Sequence, residues 1–133
     1  MDVKTSLKWR DCLQENLRTP NESHRRVAVL GVGHELRGDD AAGLMVIRQI
    51  EPSERVMVIE GGPAPENTTG MLRTFHPQVV ILVDAAQLNC PPGTIACLSA
   101  EDLDGLSAST HTLPLDLLAR YLMHELGCVV VLV

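Results

Sequence analysis

Three acidic residues and one histidine stand where apolar runs end or helices begin in this sequence. The segment Arg26-Val-Ala-Val-Leu-Gly-Val-Gly-His-Glu-Leu-Arg-Gly-Asp-Asp-Ala-Ala-Gly43 reads as a buried strand, a glycine turn and two adjacent carboxylates, Asp39 and Asp40, at the start of a helix. Asp84 ends the apolar run Val79-Val-Ile-Leu-Val83, and His111 precedes Leu113-Pro114 at another helix start. Two carboxylates and an imidazole at one edge of a sheet can hold a metal ion or move a proton. One aspartate is enough to cap a helix by accepting backbone N–H bonds at the positive end of the dipole. Adjacent residues do not both cap, so Asp39 is assigned to the cap and Asp40 to the chemistry. An imidazolium is disfavoured at a helix N-terminus, so His111 is expected to be neutral, the form that binds metal. His34 follows the glycine turn and is placed to line the same cleft. His24, His76 and His124 have no motif around them and read as surface residues.

Other chemistries are poorly served. Gly-x-Ser-x-Gly does not occur, and Cys90 lies beside no obvious base. A hydrolase of this composition would use water activated or polarised at a metal. Gly31-Val-Gly33 follows a strand as in a dinucleotide site, but the third glycine of that fingerprint would fall at Leu36. The glycines are read as a tight turn. Cys12, Cys90, Cys97 and Cys128 form no Cys-x-x-Cys pair, so they read as structural thiols in a reducing compartment.

The elements that position these residues alternate. Residues 1–25 form an N-terminal helical extension, helical over 4–18, and 26–133 form one domain. Val27–Leu30, Val56–Ile59, Val79–Val83 and Cys128–Val133 read as buried strands, with a shorter edge strand over Thr94–Leu98. Helices are expected from Asp39 or Asp40 through Ile50, through Met71 to Phe75, briefly after Ser99, and over Leu115–Leu126 ahead of Gly127. Glu60-Gly-Gly-Pro-Ala-Pro-Glu-Asn67 reads as a loop. Strands alternating with helices predict a three-layer αβα fold with a mostly parallel, twisted sheet, and strand ends there usually carry the chemistry.

The length of 133 residues suits one core, and 45% hydrophobic residues suffice to build it. The net charge of −6, with Lys4 and Lys8 the sole lysines and one residue each of Phe, Trp and Tyr, argues against nucleic acid and anionic membranes. No segment reaches the ~20 apolar residues of a membrane span, and the N-terminus lacks a signal-peptide core, so a cytoplasmic protein is expected.

Four motifs in order, Gly31-Val-Gly-His-Glu-Leu-Arg-Gly-Asp-Asp-Ala-Ala-Gly43, Glu60 to Asn67, Val83-Asp-Ala85 and Thr110-His-Thr-Leu-Pro-Leu115, resemble the NiFe-hydrogenase maturation endopeptidases. The branch serving hydrogenase 3 of the formate hydrogenlyase complex is the nearest likeness. The resemblance implies a protease that removes a C-terminal extension from the hydrogenase large-subunit precursor after nickel insertion. It places the nickel-contacting, catalytic set on Asp40, Asp84 and His111, with nickel supplied by the precursor. It also places Gly61 and Gly62, with His34 and Asp39, beside the cleft that receives the substrate.

Three departures stand out. His34 replaces the family's usual Asn, and Ala41 a common Gly. The sequence ends at Val133, where the family pattern continues into a Gly-x-x-Pro loop and a final helix packed on the sheet. The expected fold lacks that helix, and residues 1–25 are one candidate to cover the apolar surface left. Two rival readings follow: a truncated, non-catalytic module that binds the large-subunit precursor, and a hydrolase holding its own metal.

Overall fold

Strands that are apolar along their whole length need cover on both faces, and that requirement organises this protein. A computed structural model describes residues 8–18, 24–36, 38–85, 91, 93–99 and 115–133, with the backbone alone at Asp39, Asp40 and Ser99. The strands are β1 (Val27–Val32), β2 (Val56–Gly62), β3 (Val79–Val83), β4 (Leu98–Ser99) and β5 (Val129–Leu132). They form one sheet in the order β2-β1-β3-β5-β4, with β4 antiparallel to β5 and the other pairs parallel.

Side chains alternate across that sheet and fill two cores. Leu30, Val80 and Leu82 face one side, where α3 (Thr69–Phe75) and α4 (Leu115–Leu126) bring Leu72, Leu118 and Leu122. Val29 and Ile81 face the other, where α2 (Ala42–Ile47) brings Ile47, and Leu13 and Leu17 of α1 (Trp9–Leu17) pack against the same cluster. The result is the expected three-layer αβα arrangement. Each fully buried leucine or isoleucine contributes roughly 1.5–3 kcal/mol.

Several boundaries differ from the sequence reading, each for a local reason. β1 and β2 are longer because they pair through their glycines. Gly31 pairs with Glu60, Val32 with Gly62, and the register shifts between the two pairs. The segment read as a loop from Glu60 therefore begins as strand, and its Pro65–Thr68 part is a 3-10 turn. The helix expected from the aspartates starts later. Gly38–Ala41 form a 3-10 turn, and Ala41, not Asp39 or Asp40, is the N-cap of α2. That helix also ends early, because the amides of Gln49 and Ile50 bond to carbonyls three residues back, those of Val46 and Ile47. The expected edge strand at Thr94–Leu98 shrinks to β4, since Thr94 is tied back to the Pro91 carbonyl through its N–H and its hydroxyl. The short helix expected after Ser99 lies outside the described residues.

Candidate functional site

The chain leaves β1 for β2 on one side and returns past it to β3 on the other. The switch falls between β1 and β3, and open α/β sheets form their crevice at the carboxyl ends of such a pair. Here α2 begins at that mouth. A Cβ on Gly43 would lie 2.2 Å from the carbonyl oxygen of Val83 and 2.5 Å from that of Val32. A Cβ on Gly31 would lie 2.7 Å from Ile47 Cδ1 and 2.9 Å from the Gly43 carbonyl. Helix and strand backbones therefore touch, and no side chain fits between them.

This contact brings the backbones of Asp40 and Asp84 to one end of the sheet. Asp40 lies three residues before Gly43 in the turn leading into α2, and Asp84 follows Val83 directly. Both backbone positions reach the same mouth. Asp84 is half-buried; its Oδ1 accepts the Ala85 N–H at 2.8 Å, and its own N–H donates to the Val133 carbonyl at 3.1 Å. Val133, the residue after β5, thus holds the backbone from which this carboxylate projects.

His34 is half-buried on the loop after β1, and its Nδ1 accepts the Leu36 N–H at 3.2 Å, which leaves Nε2 as the ring's donor. Gly61 meets the protein's own packing: a Cβ there would lie 2.9 Å from Leu30 Cδ1 and 3.0 Å from the Gly31 carbonyl. Gly62 has φ +60°, and its carbonyl accepts the Gly33 N–H at 2.9 Å, closing the ladder beside the crevice. His111 lies outside the described residues. Among the described residues no three His, Cys, Asp or Glu side chains are grouped to hold a metal ion.

One feature of the rim is absent from the sequence reading. Arg48, just past α2, bonds Glu35 at 3.0 Å and Glu60 at 2.5 Å. The pairing holds the Arg48 guanidinium above its ordinary range, chiefly through Glu60 and then Glu35, and holds the Glu60 carboxyl below its own, chiefly through Arg48. Three elements are joined across the open end of the sheet. A signal existed: Glu35 follows β1 and Glu60 lies near the carboxyl end of the adjacent β2, so one cation at the end of the intervening helix can reach both.

The described thiols match a structural role. Cys97 and Cys128 are buried, Cys12 is partly so, and burial pushes the Cys128 thiol up. No helix among the described residues is long and apolar enough to cross a membrane.

Known proteins share this fold. The profile of the hydrogenase maturation protease (HycI) family matches residues 45–133. The hydrogenase 3 maturation protease of Escherichia coli K12 is 33% identical over 107 residues, covering 78% of this chain and 69% of its own. The chain belongs to the hydrogenase maturation protease family. Among solved members, a NiFe-hydrogenase maturation protease HycI from Thermococcus kodakarensis superposes with a TM-score of 0.77 at 28% identity, covering 91% of this chain and 77% of that one. The endopeptidase HycI from Escherichia coli superposes with a TM-score of 0.70 at 31% identity, covering 80% and 70%. Asp84 and His111 fall inside the stretch matched by the maturation protease profile, and Asp40 falls just ahead of it.

Proposed function

We propose that this chain is an endopeptidase that removes the C-terminal extension of a NiFe-hydrogenase large-subunit precursor after nickel insertion. The observation that carries the reading is the contact of Gly43 with the Val32 and Val83 carbonyls, which brings the Asp40 and Asp84 backbones to one crevice. Family membership supports the reaction class, and the motif Thr110-His-Thr-Leu-Pro supports His111 as the third group.

In this reading Asp40, Asp84 and His111 contact the nickel ion that the precursor carries. Two carboxylates and one neutral imidazole suit a borderline divalent ion and leave positions for the precursor's own ligands. A metal so held supplies a Lewis acid for the scissile carbonyl or orients a water. The chain's part is placement. The Ala85 N–H holds one Asp84 oxygen, and the Val133 carbonyl just past β5 holds the Asp84 backbone. His34 and the Glu35–Arg48–Glu60 pairing shape the rim over which the substrate enters. A cytoplasmic setting belongs to the same reading.

The test is the intact mass of a nickel-loaded precursor after incubation with this protein, beside a nickel-free control. Loss of a C-terminal peptide from the loaded precursor alone supports the reading. Stable binding without shortening would sink it and favour the non-catalytic module.

A further inference from the structure

The sheet has two edges, and they are finished differently. β4 closes one edge with two residues, whereas β2 runs for seven residues along the other. The Val27 N–H bonds the Arg55 carbonyl at 2.8 Å, and Val27 pairs with Val56 in the parallel register. Residues 55, 57 and 59 therefore direct their peptide groups to β1, and 56, 58 and 60 direct theirs outward. Those of Val56 are used by the turn, which bonds Ser53 N–H to the Val56 carbonyl at 2.9 Å and returns a bond at 3.4 Å. The outward N–H and C=O groups of Val58 and Glu60 remain without a partner among the described residues.

A groove runs beside this edge. Met57 faces the α3 side of the sheet, and with Gly70, Met71, Thr74 and Phe75 it lines a groove of about 430 Å³. An added strand would place alternate side chains on that side, against Met57 and Met71. The edge ends at Gly61–Gly62, beside the crevice that receives Asp84.

We propose that β2 is the docking strand for an extended segment of the protein substrate, which adds to the sheet through Val58 and Glu60 and seats an apolar side chain in the Met57–Met71–Phe75 groove. Strand addition draws affinity from main-chain bonds and selectivity from pockets for alternate side chains, and this edge offers both. A free edge of this length is otherwise a site of edge-to-edge association. The inference rests on the peptidase reading and names where its substrate is held.

The test combines kinetics with amide hydrogen exchange, using the nickel-loaded precursor. Val58→Pro removes one outward N–H and leaves the pairing with β1 intact, as edge strands tolerate. Gly70→Leu fills the groove from a position where a Cβ meets nothing within 4 Å, and leucine favours the helix. Each is expected to raise KM about tenfold with kcat within about twofold, the equivalent of losing one or two net hydrogen bonds or one seated side chain. Val58→Ala keeps the N–H and is expected to raise KM less. The Val58 and Glu60 amides are expected to exchange more slowly once precursor is added. Should Val58→Pro fail to fold, Gly70→Leu and the exchange data decide. Cleavage without protection of those amides, or an unchanged KM in Gly70→Leu, overturns the inference and leaves the peptidase reading standing. Protection without cleavage supports the docking strand and sinks the peptidase reading. Protection on concentrating the protein alone means a second copy occupies the edge, which also overturns the inference.

Discussion

Gly43 rests on the carbonyl oxygen of Val83 with no space for a side chain: a Cβ would lie 2.2 Å from that oxygen. Both partners are backbone, so neither can turn aside. Gly43→Ala must lift α2 from the crevice between β1 and β3. Overpacking of this kind destabilises by about 1–3 kcal/mol, and the backbone-to-backbone geometry places this case at the upper end. A urea midpoint lowered to match is expected, together with loss of cleavage, because the turn that holds Asp40 runs directly into α2. Gly70→Ala on the exposed face of α3 is the control and should be neutral or mildly stabilising, since a Cβ there meets nothing within 4 Å.

Asp84→Asn separates charge from fold. The Asn side-chain oxygen can still accept the Ala85 N–H that Asp84 Oδ1 accepts at 2.8 Å, so the loop should keep its shape. The negative charge offered to a metal or a proton is lost. Cleavage of the nickel-loaded precursor is expected to fall by about 10²–10⁴-fold with an unchanged circular dichroism spectrum, the scale of losing a charged group at a reacting centre. Asp40→Asn and His111→Ala are expected to match it. Wild-type rates in any of the three, by intact-mass assay, would remove that residue from the site.

The strands were legible because their neighbours on both faces are fixed by burial. Val79–Val83 carries no polar residue, and its observed bounds match the reading. Glu60–Gly62 was not legible as strand. A charge and two glycines look like loop, and only the pairing of Gly31 with Glu60 makes them strand. The helix start failed similarly. Two aspartates look like a cap, but a 3-10 turn from Gly38, at φ +54°, moves the cap to Ala41. At the site, chain position brought Asp40 and Asp84 to one edge through the alternation of strands and helices. The Glu35–Arg48–Glu60 pairing escaped because its members come from three elements that meet only through the sheet order.

That pairing has a measurable titration. Glu60 has its folded pKa lowered, so its contribution to stability is present above the ordinary glutamate range and is lost as pH falls through the lowered value. Its side chain is about half exposed, so the contribution is small and salt-sensitive. A carboxyl-carbon NMR titration should show the Glu60 midpoint below the ordinary glutamate range. Arg48→Met should return it to the ordinary range with little change in melting temperature. An unmoved midpoint would mean that the ion pair does not persist in solution.

The N-terminal helix poses the last question, since its docking could not be read from residues 4–18 alone. Leu13 and Leu17 are one helical turn apart and pack against the cluster formed by Val27, Val29, Ile47, Val79 and Ile81. The Cys12 thiol reaches the Cys97 carbonyl at 3.9 Å, next to β4. If these contacts hold the helix, Leu13→Ala and Leu17→Ala should each lower stability by about 1–2 kcal/mol, below the loss for a fully buried leucine because both remain partly exposed. Glu15→Ala, on the exposed side of the same helix, should change stability by under about 0.5 kcal/mol. The two leucines share one contact surface, so the double variant should lose less than the sum of the singles. Urea denaturation of the four variants checks this. Leucine variants as stable as Glu15→Ala would show that the helix adds nothing to the fold.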